Sequence, residues 1–338
     1  MKILPRFAKF STITMLAVAL LVVPNLPAAT WGGGNGNWVS DNWGLNAPDG
    51  SPGDANYPSE AALLTSAGTL LIQSGDSITM GNSLFMSVST VNQTGGSISV
   101  SGATRIRSNY TLNGGSLTTT GASYVETAGT LAVVSGTLNV SSSIEYGTGT
   151  NAINLSGGDV TIVQLRNDKV TTSSGSVTVT GSTFTKLQST ILVFADLGAS
   201  ASFNVNFVFD GSGVTPWSVI GGPSSLTLGT GINAANLSVN VSAMLSEGVA
   251  GVNLFDYGNA ATVSGAFGTV AITDTTYGTL TLGTEGALNA GEYFLDYGGI
   301  GDTDVTLFYN TVPEPGTLAL LGLGLLALPL RRRYQIQP

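Results

Sequence analysis

The chain has 338 residues, of which 42% are hydrophobic and only 9% charged, with 46 glycines, no cysteine and no histidine. That length suits one large all-β domain or two modest ones, and a glycine share about twice the usual ~7%, with abundant Ser, Thr and Val, favours turns and strands over helices. Between the basic ends, five Lys and Arg face 19 acids, a balance of −14 that repels phosphate backbones and excludes a nucleic-acid partner; the missing His and Cys remove the Ser-His-Asp triad, the thiolate nucleophile and the His-based zinc site.

Residues 1–29 open with Lys2, Arg6 and Lys9, continue through an apolar run from Ile13 to Val23 and close on Ala28 and Ala29. This is the layout of a secretory signal peptide cleaved after Ala29, its apolar run too short for a comfortable membrane span. Residues 30–60 are expected to cap the repeats that begin near residue 61. Their opening, "TWGGGNGNWVSDNWGLNAPDGSPGD" (30–54), resembles the Trp/Gly/Asn-rich start of autotransporter-like bacterial β-repeat proteins, through Trp31, Trp38, Asn42, Trp43, Gly53 and Asp54. The flat faces of Trp31, Trp38 and Trp43 suit stacking on sugar rings; the competing reading is that they plug the first coil, since large aromatics normally serve burial.

Between 61 and 189 a short unit recurs: "LIQSGDSITM", "VNQTGGSISV", "YTLNGGSLTT", "LAVVSGTLNV", "INLSGGDVTI" and "VTTSSGSVTV". Its apolar anchors, Ile78, Ile98, Leu117, Leu138, Val160 and Val177, are spaced by 20, 19, 21, 22 and 17 residues. A near-constant period of about 20 residues marks a solenoid. Seven residues before the anchors stand Leu71, Val91, Tyr110, Leu131, Ile153 and Val170; two after them stand Met80, Val100, Thr119, Val140, Ile162 and Val179; eight after come Met86, Ile106, Val125 and Tyr146. Three short strands per coil, with glycine turns between the first two, predict a parallel β-helix whose stacked coils share one core. Arg107 and Glu126 fall in one column of adjacent coils, predicting a solvated outward pair, and Arg105 falls in the column of Tyr124 and Glu145.

Residues 190–311 stay β-rich but less regular, through "FNVNFVFD", "LSVNV", "GTLTL" and "DVTLFYN". The echo of "LFDYG" (254–258) in "FLDYG" (294–298), 40 residues on, equals two periods. The expectation is a continuation of irregular coils ending in a cap, with a separate small β-sandwich as the alternative.

Residues 312–338 break the pattern. Val312-Pro313-Glu314-Pro315 precedes an apolar segment, Gly316 to Leu330, that includes Leu318, Leu321 and Leu325 and ends on Arg331, Arg332 and Arg333. As a helix this segment is about 22 Å long, enough for a thinned membrane with the arginines snorkelling and held on the cytoplasmic side. Motif, segment and Arg cluster together resemble the PEP-CTERM sorting signal of proteins handled by an exosortase. The resemblance implies a transient inner-membrane anchor removed near the Pro-Glu-Pro, and an exported product of exopolysaccharide-making Gram-negative bacteria.

Motifs of chemistry are sparse. No phosphate-binding loop occurs, and the Gly-Gly pairs follow turn periodicity rather than opening a helix. A β-helix can host polysaccharide lyases and glycosidases, yet residues 187–330 contain no Lys or Arg for a lyase of the pectate type. For a glycosidase the candidate acids are Asp302 with Asp304 and Asp256 with Asp296. "GGIGDTDV" (298–305) approaches a calcium-binding repeat, but Thr303 stands where Asp is needed. The expectation is therefore a secreted, exosortase-sorted structural or adhesive protein of the cell surface or exopolysaccharide matrix, with no catalytic residue, metal or cofactor. A polysaccharide lyase or glycosidase and a self-associating surface fibre are the alternatives.

Overall fold

Alternating Val, Ile and Leu with Ser, Thr and Asn dictate strands with one face in and one face out, and the computed structural model is all-β on that pattern. It describes residues 28–31, 34–38, 61–167, 173–194, 202–211, 213–221, 224–230, 234–241, 248–257, 262–274, 278–298 and 304–311. The signal peptide up to residue 27, Trp43 with most of the expected cap, Asp302, and the tail 312–338 with its expected membrane helix lie outside the described residues. Among the described residues no helix is long and apolar enough to cross a membrane.

The strands form one hydrogen-bonded sheet that wraps nearly closed around its core. From Ala28 to Asp274 nearly all its pairings are parallel and link strands about one sequence repeat apart, in three ladders. The first runs from Gly34–Asn37 through Gly68–Ile72, Thr90–Gln93, the starts of Asn109–Thr119 and Thr130–Tyr146, then Gly149–Leu155, Ser173–Thr180, Ser202–Val208, Asn236–Asn240 and Thr269–Asp274. The second joins Ser77–Met80, Ser97–Val100, later parts of the two long strands, Gly158–Arg166, Phe184–Val193, Trp217–Val219 and Gly248–Tyr257. The third begins at Ala28–Thr30 and passes through Ala61–Leu64, Leu84–Met86, Thr104–Ile106 and Ser123–Val125 to Ser225–Gly229 and Thr262–Gly265.

The four expected columns meet this register except at the first and the sixth unit. Ile78, Ile98, Leu117, Leu138 and Val160 are consecutive partners, as are Met80, Val100, Thr119, Val140 and Ile162, and Met86, Ile106, Val125 and Tyr146. At the start, however, Leu70 and not Leu71 pairs with Val91 and is fully buried. At the sixth unit, Val177 pairs with Ile153, and Leu187 takes the place beside Val160. Val177 therefore belongs to the first ladder, and Val179 pairs with Leu155 rather than Ile162; Val170, expected in that ladder, is outside the described residues. The chain between Val160 and Leu187 is simply longer than one earlier repeat, so the constant period ends there.

The turn between the first two ladders explains the recurring glycine. Gly96, Gly115, Gly136 and Gly158 all have positive φ (64°, 71°, 88° and 90°). A Cβ on Gly115, Gly136 or Gly158 would lie 2.2, 2.6 or 2.4 Å from the carbonyl oxygen of the glycine one repeat earlier. Only glycine permits both the left-handed backbone and that approach.

Inside, the first half is mostly aliphatic, with Trp31, Trp38, Tyr110 and Tyr146 also fully buried. The Tyr110 hydroxyl donates to Gln93 Oε1 (2.5 Å), and Gln93 Nε2 donates to the Ser116 carbonyl (2.9 Å). Where the repeats lengthen, aromatic rings cluster: the Phe194 ring stacks on Phe203 at 5.3 Å and meets Trp217 and Phe255 edgewise or tilted. Trp217 Nε1 donates to Ser189 Oγ at 3.0 Å, satisfying the one polar atom of a buried indole.

The last elements change direction. Asp304–Thr311 lies antiparallel between Gly248–Tyr257 and Glu292–Asp296. The "LFDYG" and "FLDYG" segments thus flank one intervening antiparallel strand instead of stacking in parallel two coils apart. They touch through the Tyr257 hydroxyl, which donates to the Tyr297 carbonyl at 2.7 Å.

Candidate functional site

Two outward-facing groups of side chains concentrate the chemistry. The first is on the third ladder, where alternation turns Phe85, Arg105, Tyr124, Glu145 and Arg166 outward in one column. The Arg105 guanidinium lies 4.5 Å from the Tyr124 ring centre and 6.0 Å from that of Phe85, a favourable cation–π geometry. Arg105 Nη1 and Arg107 Nε both donate to Glu126 Oε1 at 2.9 Å. The expected solvated Arg107–Glu126 pair is thus a three-residue cluster, and its carboxylate is largely covered, with 11% of the side chain exposed. Gly147 makes that cover possible, since a Cβ there would stand 2.4 Å from Glu126 Cβ.

The backbone leaving Glu126 is strained: Thr127 and Ala128 have φ of 55° and 68°, which costs a non-glycine residue about 1–2 kcal/mol. Asn151, fully buried, holds it, accepting from the Ala128 amide (3.0 Å) and donating to the Gly147 carbonyl (2.9 Å). Burial pushes the Glu126 carboxyl up, but the hydrogen bonds and charges of Arg105 and Arg107 outweigh it and hold the carboxyl below its ordinary value. A carboxylate so committed clamps neighbouring strands.

The second group is on the three antiparallel strands near the C-terminal end. Their outer face carries Gly251, Phe308 and Phe294 in one row and Asn253, Thr306 and Asp296 in the next. Thr306 Oγ1 donates to Asn253 Oδ1 (2.9 Å), and Asn253 Nδ2 donates to Asp304 Oδ2 (2.6 Å). Asp256 is opposite Asp304 across the strands. Of the acids weighed for glycoside hydrolysis, Asp304 is therefore tied into an amide network, Asp256 and Asp296 are on the two strands flanking it, and Asp302 is outside the described residues. Among the described residues no group of three or more His, Cys, Asp or Glu is placed to hold a metal ion.

Beside this face is a cleft of about 330 Å³ lined by Glu285, Gly286, Leu288, Phe294, Asp296 and Phe308. A tight turn places Glu285 at its rim: the Ala287 amide donates to the Thr284 carbonyl (3.1 Å), and Gly286 supplies the positive φ of 71°. Sequence reasoning missed this group. Phe294 and Phe308 alternate outward like ordinary surface positions, and nothing in the primary structure brings Glu285 to them.

Trp31 and Trp38 are fully buried, their amides extending the ladders through the Leu63 and Leu71 carbonyls. Their faces are consumed by packing, which corrects the sugar-stacking reading for these two; Trp43 is outside the described residues.

A PEP-CTERM protein-sorting motif spans residues 311–333, covering Val312 to Pro315, the apolar segment and Arg331 to Arg333. Such a motif implies processing by an exosortase and export across the membrane to the cell surface. No protein of curated function and no solved structure matches the chain, so the likeness of residues 30–54 to autotransporter-like repeats gains nothing from these comparisons.

Proposed function

We propose that the exported portion is a non-catalytic parallel β-helix that serves as a structural or adhesive component of the cell surface, making extended, weak contact with exopolysaccharide. Thr79, Ser99, Thr118, Asn139, Thr161, Gln188 and Ser218 are successive register partners along one outer face, all polar and uncharged; this column carries the reading. Successive strands in a sheet are about 4.8 Å apart, so the column offers hydroxyl and amide groups at a regular spacing suited to a long polar chain rather than to one pocketed substrate. Similar neutral ladders occur on the first face, where Asn236 Nδ2 donates to Asn204 Oδ1 (3.1 Å) and Thr269 Oγ1 donates to Asn236 Oδ1 (2.6 Å). The sorting motif supports delivery to the cell surface.

The test is a polysaccharide panel assayed for binding and, through reducing-end and unsaturated-sugar release, for cleavage, with and without calcium. Weak binding without turnover in both conditions is expected, unchanged by salt for neutral glycans and strengthened by salt for anionic ones, because screening relieves like-charge repulsion. Turnover lost on replacing Asp302 and Asp304 would establish the enzyme instead. Concentration-dependent polymerisation without glycan binding would establish the fibre.

A further inference from the structure

We infer that the cleft between the Thr284–Ala287 turn and the Phe294–Phe308 pair binds a protonated amino sugar, an inference that rests on the glycan-binding reading and names the class of sugar bound. The cleft's volume, about 330 Å³, is at the lower end of the range for small-ligand sites, the size of one or two sugar rings. Its lining combines two aromatic rings and Leu288 with the carboxylates of Glu285 and Asp296, and it contains no Lys or Arg. Aromatic faces accept the apolar face of a sugar ring and also attract a cation; carboxylates accept charge-assisted hydrogen bonds from an ammonium. An amine-bearing sugar satisfies both halves of the lining, whereas an anionic sugar meets two like charges.

The surroundings reinforce that sign. Residues 187–311 contain ten acids and no basic residue, and none of the residues lining the cleft is a cation that would compete for the carboxylates. Asp296 keeps one oxygen oriented by the Gly298 amide (2.9 Å). The site is also held in shape. Asn310 Nδ2 donates to the Leu288 carbonyl (2.9 Å), tying the rim loop to the sheet, and Asn289 is bonded to Glu292 through its amide (2.8 Å). Phe308 packs across Gly251, where a Cβ would come within 2.9 Å of the ring. A binding site with Phe308 and its rim loop already held loses little freedom when it is filled.

The experiment is calorimetric titration of the full-length exported protein with a fully deacetylated glucosamine hexamer and, separately, with its N-acetylated counterpart, alongside the polysaccharide panel. The deacetylated hexamer should bind at least tenfold more tightly, its affinity should fall as salt rises, and Glu285→Gln should remove most of the difference. Glu285 is an exposed turn residue, so that variant should melt like the parent, which checks folding; Phe294→Leu should weaken both hexamers. Equal affinity for the two hexamers, or a Glu285→Gln variant that keeps the full preference, overturns the inference. If the panel polysaccharides bind while the hexamers show no such preference, the inference falls and the matrix reading stands. If only the deacetylated hexamer binds, and does so through Glu285, the inference stands and the matrix reading falls.

Discussion

Replacing Gly115 by Ala tests whether successive repeats stack through their glycine turns, and Gly75→Ala is its matched control. Both residues have positive φ, 71° and 98°, so both substitutions carry the left-handed backbone cost of about 1–2 kcal/mol. They differ in what the new methyl meets. At Gly75 nothing lies within 4 Å; at Gly115 the Cβ would stand 2.2 Å from the Gly96 carbonyl oxygen and 2.4 Å from that of Gly95. Those are backbone atoms of the previous repeat and cannot rotate away, so the strands must part, adding the roughly 1–3 kcal/mol typical of overpacking. The expected cost is therefore about 2–5 kcal/mol for Gly115→Ala against about 1–2 for Gly75→Ala. At roughly 2 °C per kcal/mol for a chain of this size, thermal unfolding followed by circular dichroism should show a drop of about 4–10 °C for the first and about 2–4 °C for the second. Indistinguishable melting of the two variants would refute the stacking argument and leave the glycines as local turn formers.

Val160 is fully buried between Leu138 and Leu187 while Thr161 faces outward, so Val160→Asp should lower the melting temperature sharply, as an unpaired buried carboxylate costs several kcal/mol, and Thr161→Asp should shift it little; equal shifts would mean the register is wrong. Because Glu126 is held below its ordinary carboxyl value when folded, its contribution is complete above the unfolded value near 4.5 and is lost as pH falls through the folded one. Glu126→Gln should thus cost about 1–2 kcal/mol at pH 7, allowing for the partly exposed arginines, and should flatten the loss of stability below pH 4.5; an unchanged acid limb in urea titrations would contradict the clamp.

Much of the interior was legible in the sequence because two local rules agree there. Where an apolar residue alternates with Ser, Thr or Asn and a glycine turn recurs, as from Ile78 to Ile162, the inward positions and their partners in the next repeat follow from a period of two and a constant spacing. The rule fails where its signal is absent. In "GTLLI" three apolar residues stand in a row, so nothing local distinguishes Leu70 from Leu71, and only pairing with Val91 selects the first. Val177 looks like another anchor because its own strand alternates; its place beside Ile153 is set by the longer chain that closes the next turn at Leu187.

The sites depended more heavily on tertiary structure. The sorting motif is a contiguous string and was readable as such. Arg107 with Glu126 followed from column spacing, but Arg105 reaches the same carboxylate diagonally across strands, and the burial of that carboxylate depends on the missing side chain of Gly147. Glu285, Asp296, Phe294 and Phe308 meet only because Asp304–Thr311 returns antiparallel. Alternation along a strand determines which side chains face inward, by the geometry of the pleat, and it is the same for parallel and antiparallel neighbours. The direction of the neighbour is decided by the path of the chain between strands, and that path is a property of the folded whole.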